Sequence, residues 1–295
     1  MTRRTARTDL LRRRLLLALA LGGLVGLAAN CERAAAAQEV AAEEVTAEEL
    51  PEVEIVPDSA KDAKPSATRD APAVAELIVE QTNAFRREQG LKDVAVSQPL
   101  TATAADFARY MARTHRYDHR ADGRTPAERA IAHKYDYCIV LENIAYQYNS
   151  EGFSQRELAT RTAVGWQESP EHRENIVDPD VTETGVAVAQ SEDTGYFFAV
   201  QMFGRPKSAR IKLEVVNRSD VELKYELDEK DFPLLAGQIR THTRCRPPKM
   251  VVHWPKTADA AAREPQKLQP KNGERFVIAR AASGKLDIAR ETLEK

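Results

Sequence analysis

The period of the apolar residues changes along this chain, and that change limits the folds open to it. Val74, Leu77, Ile78 and Phe85 are spaced three and four positions apart, as are Leu100, Ala104, Phe107, Ala108 and Met111. Leu158, Val164 and Trp166 sit on a third such stripe, over residues 157–168. This is the spacing of helices with one buried face. Thr125-Pro126-Ala127-Glu128 offers a helix start, with a Thr cap, Pro at the first position and Glu three residues on. Gly90 stands where a helix end favours a left-handed residue. After residue 184 the signals become strand-like: 185–189 and 196–202 are short apolar runs flanking a turn at 191–195. Helices followed by a hairpin predict an α+β domain.

The chain has 295 residues, room for one large domain or two ordinary ones, and 42% apolar residues, enough for a real core. A formal net charge of −2 argues against a general nucleic-acid binder, and 6% aromatics argue against a base-stacking platform. The N-terminus reads as an address. Arg3, Arg4, Arg7, Arg12, Arg13 and Arg14 precede an apolar run at 15–29, and small residues at 34–37 offer a cleavage site. The run falls short of the roughly 20 residues a membrane span needs. Leu27-Ala28-Ala29-Asn30-Cys31 resembles a lipobox, which would make Cys31 a lipid anchor, and Arg12-Arg13-Arg14-Leu15-Leu16 resembles a twin-arginine signal. Every variant exports the protein, to periplasm, cell surface or medium. Residues 1–37 are thus assigned to export and 38–72 to an acidic disordered linker. Residues 38–60 carry eight acidic side chains and no Lys or Arg, with no sustained apolar stripe to offset ordering entropy. Three cysteines are too few for a disulfide framework. Cys138 and Cys245 could pair in an oxidising compartment, but the sequence leaves that open.

Five motifs in residues 73–204 carry a resemblance. Asn83-Ala84-Phe85-Arg86 is followed by Gly90-Leu91. The stretch from Tyr117 through Asp118-His119-Arg120 to Thr125-Pro126 comes next, then Glu142-Asn143-Ile144-Ala145. Trp166-Gln167-Glu168-Ser169-Pro170-Glu171-His172-Arg173-Glu174-Asn175-Ile176 and Thr182-Glu183-Thr184-Gly185-Val186 complete the order. This ordered set resembles the CAP superfamily (SCP-like extracellular domain), bacterial branch. The resemblance implies a three-layer α-β-α sandwich with a cavity lined by His119, Glu142 and His172. Glu168 is a fourth candidate, one position off the eukaryotic pattern, where Ser169 stands instead. Two imidazoles and a carboxylate suit a borderline cation such as Zn²⁺, so His119, His172 and Glu142 are the expected metal ligands. A purely structural role, with both histidines bonded to Glu142, stands beside that expectation.

Other candidates have blander readings. His115 and His119 are four apart, which on a helix would share a face, but His115 also fits an exposed helix end. Cys138 with His172 could form a thiol pair, but a buried core cysteine beside Ile139 is the simpler reading. His133, His242 and His253 have no partners at metal-ligand spacing. HExxH, GxSxG and Walker motifs are absent from the sequence.

Residues 205–295 read as a small all-β, sandwich-like domain beginning after Gly204. Alternation at 211–215 and 221–227, a turn at 217–220, further strands at 237–245, 249–254, 274–280 and 285–289, and a tight turn at Asn272-Gly273 support this. Arg240, Arg244, Arg246 and Lys249 could form a basic face for an anionic polymer, or an ordinary solvated strand face. Asn217-Arg218-Ser219 matches a glycosylation sequon, which means little if the source is bacterial. The expectation is an exported, non-enzymatic binding module for an envelope component or lipid-like small molecule. It reaches a membrane only through an anchor at Cys31, and it has no nucleic-acid partner. Two alternatives stay open: a metal-dependent hydrolase of envelope peptide or polysaccharide in which Glu142 assists a Zn²⁺-bound water, and a structural or adhesion protein with a vestigial cavity.

Overall fold

A computed structural model describes residues 54–55, 71–255 and 263–293. The export signal, the Cys31 lipobox and most of the acidic linker lie outside the described residues. Within that linker, Glu54–Ile55 is a two-residue strand, β1, paired antiparallel with β3, Arg116–Tyr117. An unstructured tether was expected there.

The elements then follow the apolar periodicity. Helix α1 spans Ala71–Glu88, and Gly90 beyond it takes φ +73°. A short strand β2, Ala95–Val96, leads into α2, Gln98–Thr114, whose buried stripe includes Leu100, Ala104, Phe107, Ala108 and Met111. Helix α3, Pro126–Ala132, opens with the expected capping box: Thr125 Oγ1 accepts from the Glu128 amide, and the Thr125 amide donates to the Glu128 carboxylate. Such caps stabilise by about 1 kcal/mol, which suits so short a helix. Strand β4, Tyr137–Gln147, comes before α4, Gln155–Glu168, and α5, Pro170–Ile176. Strands β5, Glu183–Gln190, and β6, Phe197–Pro206, close the first half as a hairpin. The chain does not break after Gly204, because β6 continues through Pro206 at the sheet's end.

The sheet order is β2-β5-β6-β4. Central strand β6 shows why it forms a middle layer. Phe198, Val200 and Met202 face the core built on α2 and α3, while Phe197, Ala199 and Phe203 face the core built on α1, α4 and α5. A strand covered on both faces reads as a continuous apolar run, and this one does. The result is a three-layer α-β-α sandwich within an α+β fold. Gly185 lets α2 lie directly on β5: a Cβ there would sit 2.1 Å from the Thr101 amide nitrogen.

Residues 211–292 form two four-stranded sheets. One has the order β10-β7-β13-β14, with β7 Ile211–Asn217, β10 Ile239–Arg244, β13 Glu274–Arg280 and β14 Leu286–Thr292. The other is β12-β11-β8-β9, with β8 Leu223–Leu227, β9 Lys230–Leu234, β11 Met250–His253 and β12 Gln266–Leu268. Their inner faces share one core of Leu213, Val215, Tyr225, Leu227, Met250, Val252, Phe276 and Ile278, the arrangement of a β-sandwich. Asn217 folds the turn after β7. Its Oδ1 accepts from the Ser219 amide at 2.9 Å, and its Nδ2 donates to the carbonyls of Val221 and Leu234.

The sandwich is fastened to the first half at one corner. Cys138 on β4 and Cys245 after β10 form a disulfide with Cα atoms 5.2 Å apart. Next to it, Arg246 forks onto Asp178 and Asp180 at 2.7–3.0 Å. Among the described residues no helix is long and apolar enough to cross a membrane.

Candidate functional site

Edge strand β4 places Glu142 and Asn143 in succession, so the pleat sends their side chains to opposite faces. Glu142 faces the α2–α3 side, buried to 5% exposure. One carboxylate oxygen accepts from Arg129 Nη2 at 2.6 Å and the other from His119 Nδ1 at 2.8 Å. Arg129, on the capped helix α3, is itself buried. It also donates to Asp122 Oδ1 and to the backbone oxygens of His119 and Arg124, and its guanidinium lies 3.5 Å over the Phe107 ring. Two carboxylates, two carbonyls and one aromatic face therefore compensate one buried cation, which a buried charge requires.

On the opposite face Asn143 Nδ2 donates to the His172 carbonyl at 3.1 Å. Asn175 Nδ2 donates to Asn143 Oδ1 and to the Glu142 carbonyl. This amide ladder holds α5 on the sheet edge and sets the position of His172. The His172 ring bonds through Nδ1 to Ser169 Oγ at 2.9 Å. Burial first, and the proximity of His119 second, hold the His172 imidazole below its ordinary pKa, against a smaller opposing effect of Glu171.

His119 bonds Glu142, and His172 lies near enough to His119 to feel its charge, so the three gather at one sheet edge. Each oxygen of Glu142 already accepts one hydrogen bond, so the carboxylate orients His119 while keeping further acceptor capacity. With Nδ1 of His119 on Glu142, Nε2 is the ring nitrogen left for another partner, the arrangement by which carboxylates orient metal-binding imidazoles. The donor chemistry thus fits a cation held by Nε2 of His119 and of His172, with Glu142 and Ser169 behind them. Glu168 does not join the group: it is exposed at the end of α4 and, among the described residues, makes no hydrogen bond or ion pair.

The other sequence candidates resolve separately. Helix α2 ends at Thr114, and His115 caps it at φ 57° with Nε2 on Ser191 Oγ at 2.9 Å. The helical i, i+4 pairing with His119 does not form. Cys138 is neither a free thiol nor a buried core cysteine, because it is oxidised to the disulfide with Cys245. His133 pairs with Asp106 at 2.9 Å, and His242 is buried against the Tyr225 hydroxyl at 2.5 Å. The basic face is partly neutralised: among the described residues Arg244 and Arg246 are paired with acids, while exposed Lys249 has no ion pair. Arg244 bonds Asp228, Arg246 bonds two aspartates, and Arg240 lies over Phe232.

A second feature was not legible in the sequence. Strand β2 pairs with β5 at Glu183 and Thr184, and among the described residues the outer edge of β5 beyond them has no neighbouring strand. Helices α1 and α2 flank that edge, and between them lies a groove of about 590 Å³. Its walls are Ala75, Val79, Val96, Ala105, Val186 and Val188, with Glu76, Glu80 and Arg109 also lining it. Its residues come from four elements separated in sequence, so no local pattern announces it.

The comparisons with known proteins bear on the family. The model of the cysteine-rich secretory protein family, CAP, matches residues 79–203. The uncharacterized protein YkwD of Bacillus subtilis strain 168 is 27% identical over 141 residues, covering 48% of this chain and 51% of that protein. The chain thus spans about half the length of that curated relative. Among solved structures, an outer surface protein from Borrelia burgdorferi is 20% identical, with a TM-score of 0.40 over 49% of this chain and 99% of that one. An extracellular protein containing a SCP domain from Bacillus anthracis str. Ames is 23% identical, with a TM-score of 0.40 over 48% of this chain and 45% of that one. The ordered motifs lie inside the matched residues and the sandwich is built around them, so residues 79–203 are a CAP domain similar to those of the cysteine-rich secretory protein family.

Proposed function

We propose that this chain is an exported, non-enzymatic binding module whose α1–α2 groove takes the acyl chain of an envelope amphiphile. The groove itself carries the reading. Its volume of about 590 Å³ falls within the roughly 300–1,000 Å³ of small-molecule sites, and aliphatic side chains line most of it. Burying a methylene is worth about 0.8 kcal/mol. An eight-to-ten-carbon segment would therefore supply about 6–8 kcal/mol before the cost of immobilisation, in the micromolar range or weaker. Glu76 and Glu80 on one wall and Arg109 on the other leave both polarities available to a headgroup.

The histidine cluster supports a non-enzymatic reading from the other side. Catalytic zinc sites commonly use three protein ligands, and here Glu142 is already engaged by His119 and Arg129. We propose that Zn²⁺ held by the two Nε2 atoms would serve as a structural or ligand-linked ion. The disulfide supports an oxidising compartment, in keeping with the N-terminal export pattern.

The test is a fluorescence titration of the full chain with cis-parinaric acid, a polyene fatty acid. Ala105→Trp should fill the groove and abolish binding, while His119→Ala/His172→Ala should leave it unchanged. Equal binding by Ala105→Trp, or loss in the histidine variant, would refute the groove as the site.

A further inference from the structure

We propose that Glu226, Asp231 and His253, on three adjacent strands of the sandwich, form a surface site for a borderline divalent cation of the Zn²⁺ type. The site is separate from the histidine cluster on β4 and from the groove. Strand alternation puts the three side chains on one solvent face: Leu223, Tyr225 and Leu227 of β8 point into the core, so Lys224 and Glu226 point out. Asp231 on β9 stands directly opposite Glu226. On β11, Val251 stands opposite Glu226 and His253 opposite Lys224, so His253 is the diagonal neighbour of Glu226. One ligand atom from each of the three lies within 4.8 Å of the others.

The charge arrangement at this spot is unusual for a plain strand face. Two carboxylates directly opposite on an antiparallel pair repel one another. Lys224 relieves part of this, with its ammonium 2.7 Å from Asp231 Oδ2. Among the described residues Glu226 has only the His253 ring, at 4.0 Å. A divalent cation bound by both carboxylates and by the imidazole would remove the repulsion and release Lys224 to solvent. Metal–ligand bonds of about 2.0–2.2 Å need the ligand atoms closer than they stand here. All three side chains are partly exposed, so they can rotate inward without disturbing the core. A nitrogen donor beside two carboxylates favours Zn²⁺ and its neighbours over Ca²⁺ or Mg²⁺, which prefer oxygen alone. The positions 226, 231 and 253 have no metal-binding spacing in sequence. Only the pairing of β9, β8 and β11 brings them together.

The test is a calorimetric Zn²⁺ titration at neutral pH of the full chain carrying His119→Ala/His172→Ala, which removes the β4 histidines from the measurement. One-to-one binding is expected in that protein. Adding His253→Ala or Glu226→Gln should weaken it at least tenfold, and adding Lys224→Ala, which frees Asp231, should tighten it. Absence of zinc binding in the His119→Ala/His172→Ala protein, or binding left unchanged by both His253→Ala and Glu226→Gln, would overturn the proposal.

Discussion

Replacing Cys138 and Cys245 by serine tests how the two halves of the molecule are joined. The bridge closes a sequence separation of 107 residues. In the chain-entropy description, a loop of that length removes about 16 cal/mol/K from the unfolded ensemble, or about 4.8 kcal/mol at 25 °C. Natural disulfides typically deliver about 2–4 kcal/mol. Here the two half-cystines lie at a corner that Arg246 independently clamps to Asp178 and Asp180. That clamp is half exposed on the arginine side, so it contributes no more than about 1 kcal/mol and cannot replace the covalent link. Urea denaturation followed by far-UV circular dichroism should therefore show the double serine variant losing about 2–5 kcal/mol, with an unchanged native spectrum. The urea dependence should also steepen, because an unlinked unfolded chain exposes more surface. A loss below about 1 kcal/mol would refute the reasoning and would mean that packing, not the bridge, holds the corner.

Further expectations follow from other contacts. Arg129→Met leaves buried Glu142 with the His119 ring alone, while Asp122 keeps the half-exposed Arg124, and thermal or urea denaturation should show a loss of about 3–5 kcal/mol. Gly185→Ala drives a methyl into the backbone of Leu100 and Thr101. It should cost more than the roughly 1–3 kcal/mol of ordinary overpacking, read as a fall in melting temperature. Burial and the neighbouring His119 lower the His172 pKa from 6.5, and burial, Arg244 and Arg240 lower that of His242. The unfolded chain therefore protonates these positions before the folded one does. Their contribution to stability is complete above about pH 6.5 and is lost as pH falls below it. Denaturation midpoints should drop from about pH 7 to about pH 5, and His242→Gln should flatten that drop.

Much of the fold was legible because local signals and tertiary packing agree. Thr125 and Glu128 named the start of α3, Gly90 the end of α1, and the alternation at 211–215 and the strand signal at 274–280 matched β7 and β13 nearly to the residue. Where packing decides alone, the sequence was silent. Strand β4 went unread because Glu142 and Asn143 interrupt its apolar run, and their burial is tolerated only through Arg129, His119 and Asn175. Strand β9 contains Pro233, which demotes a strand reading, and the structure places β9 at a sheet edge, where proline is tolerated. The cavity residues His119, Glu142 and His172 were found through their motifs, but the role of Glu142 was not, since only the fold shows Arg129 taking its second oxygen. His253 looked incidental because its neighbours, Glu226 and Asp231, are remote in sequence. The groove is a property of the unpaired edge of β5, which no residue pattern records.

The measurement that tests the account most directly is a methyl NMR titration of the full chain with a medium-chain fatty acid. The account requires shifts at Val79, Val96, Ala105, Val186 and Val188, with the sandwich methyls of Val215 and Val252 unmoved. Shifts centred on the residues around His119 and His172, with the groove methyls silent, would contradict it.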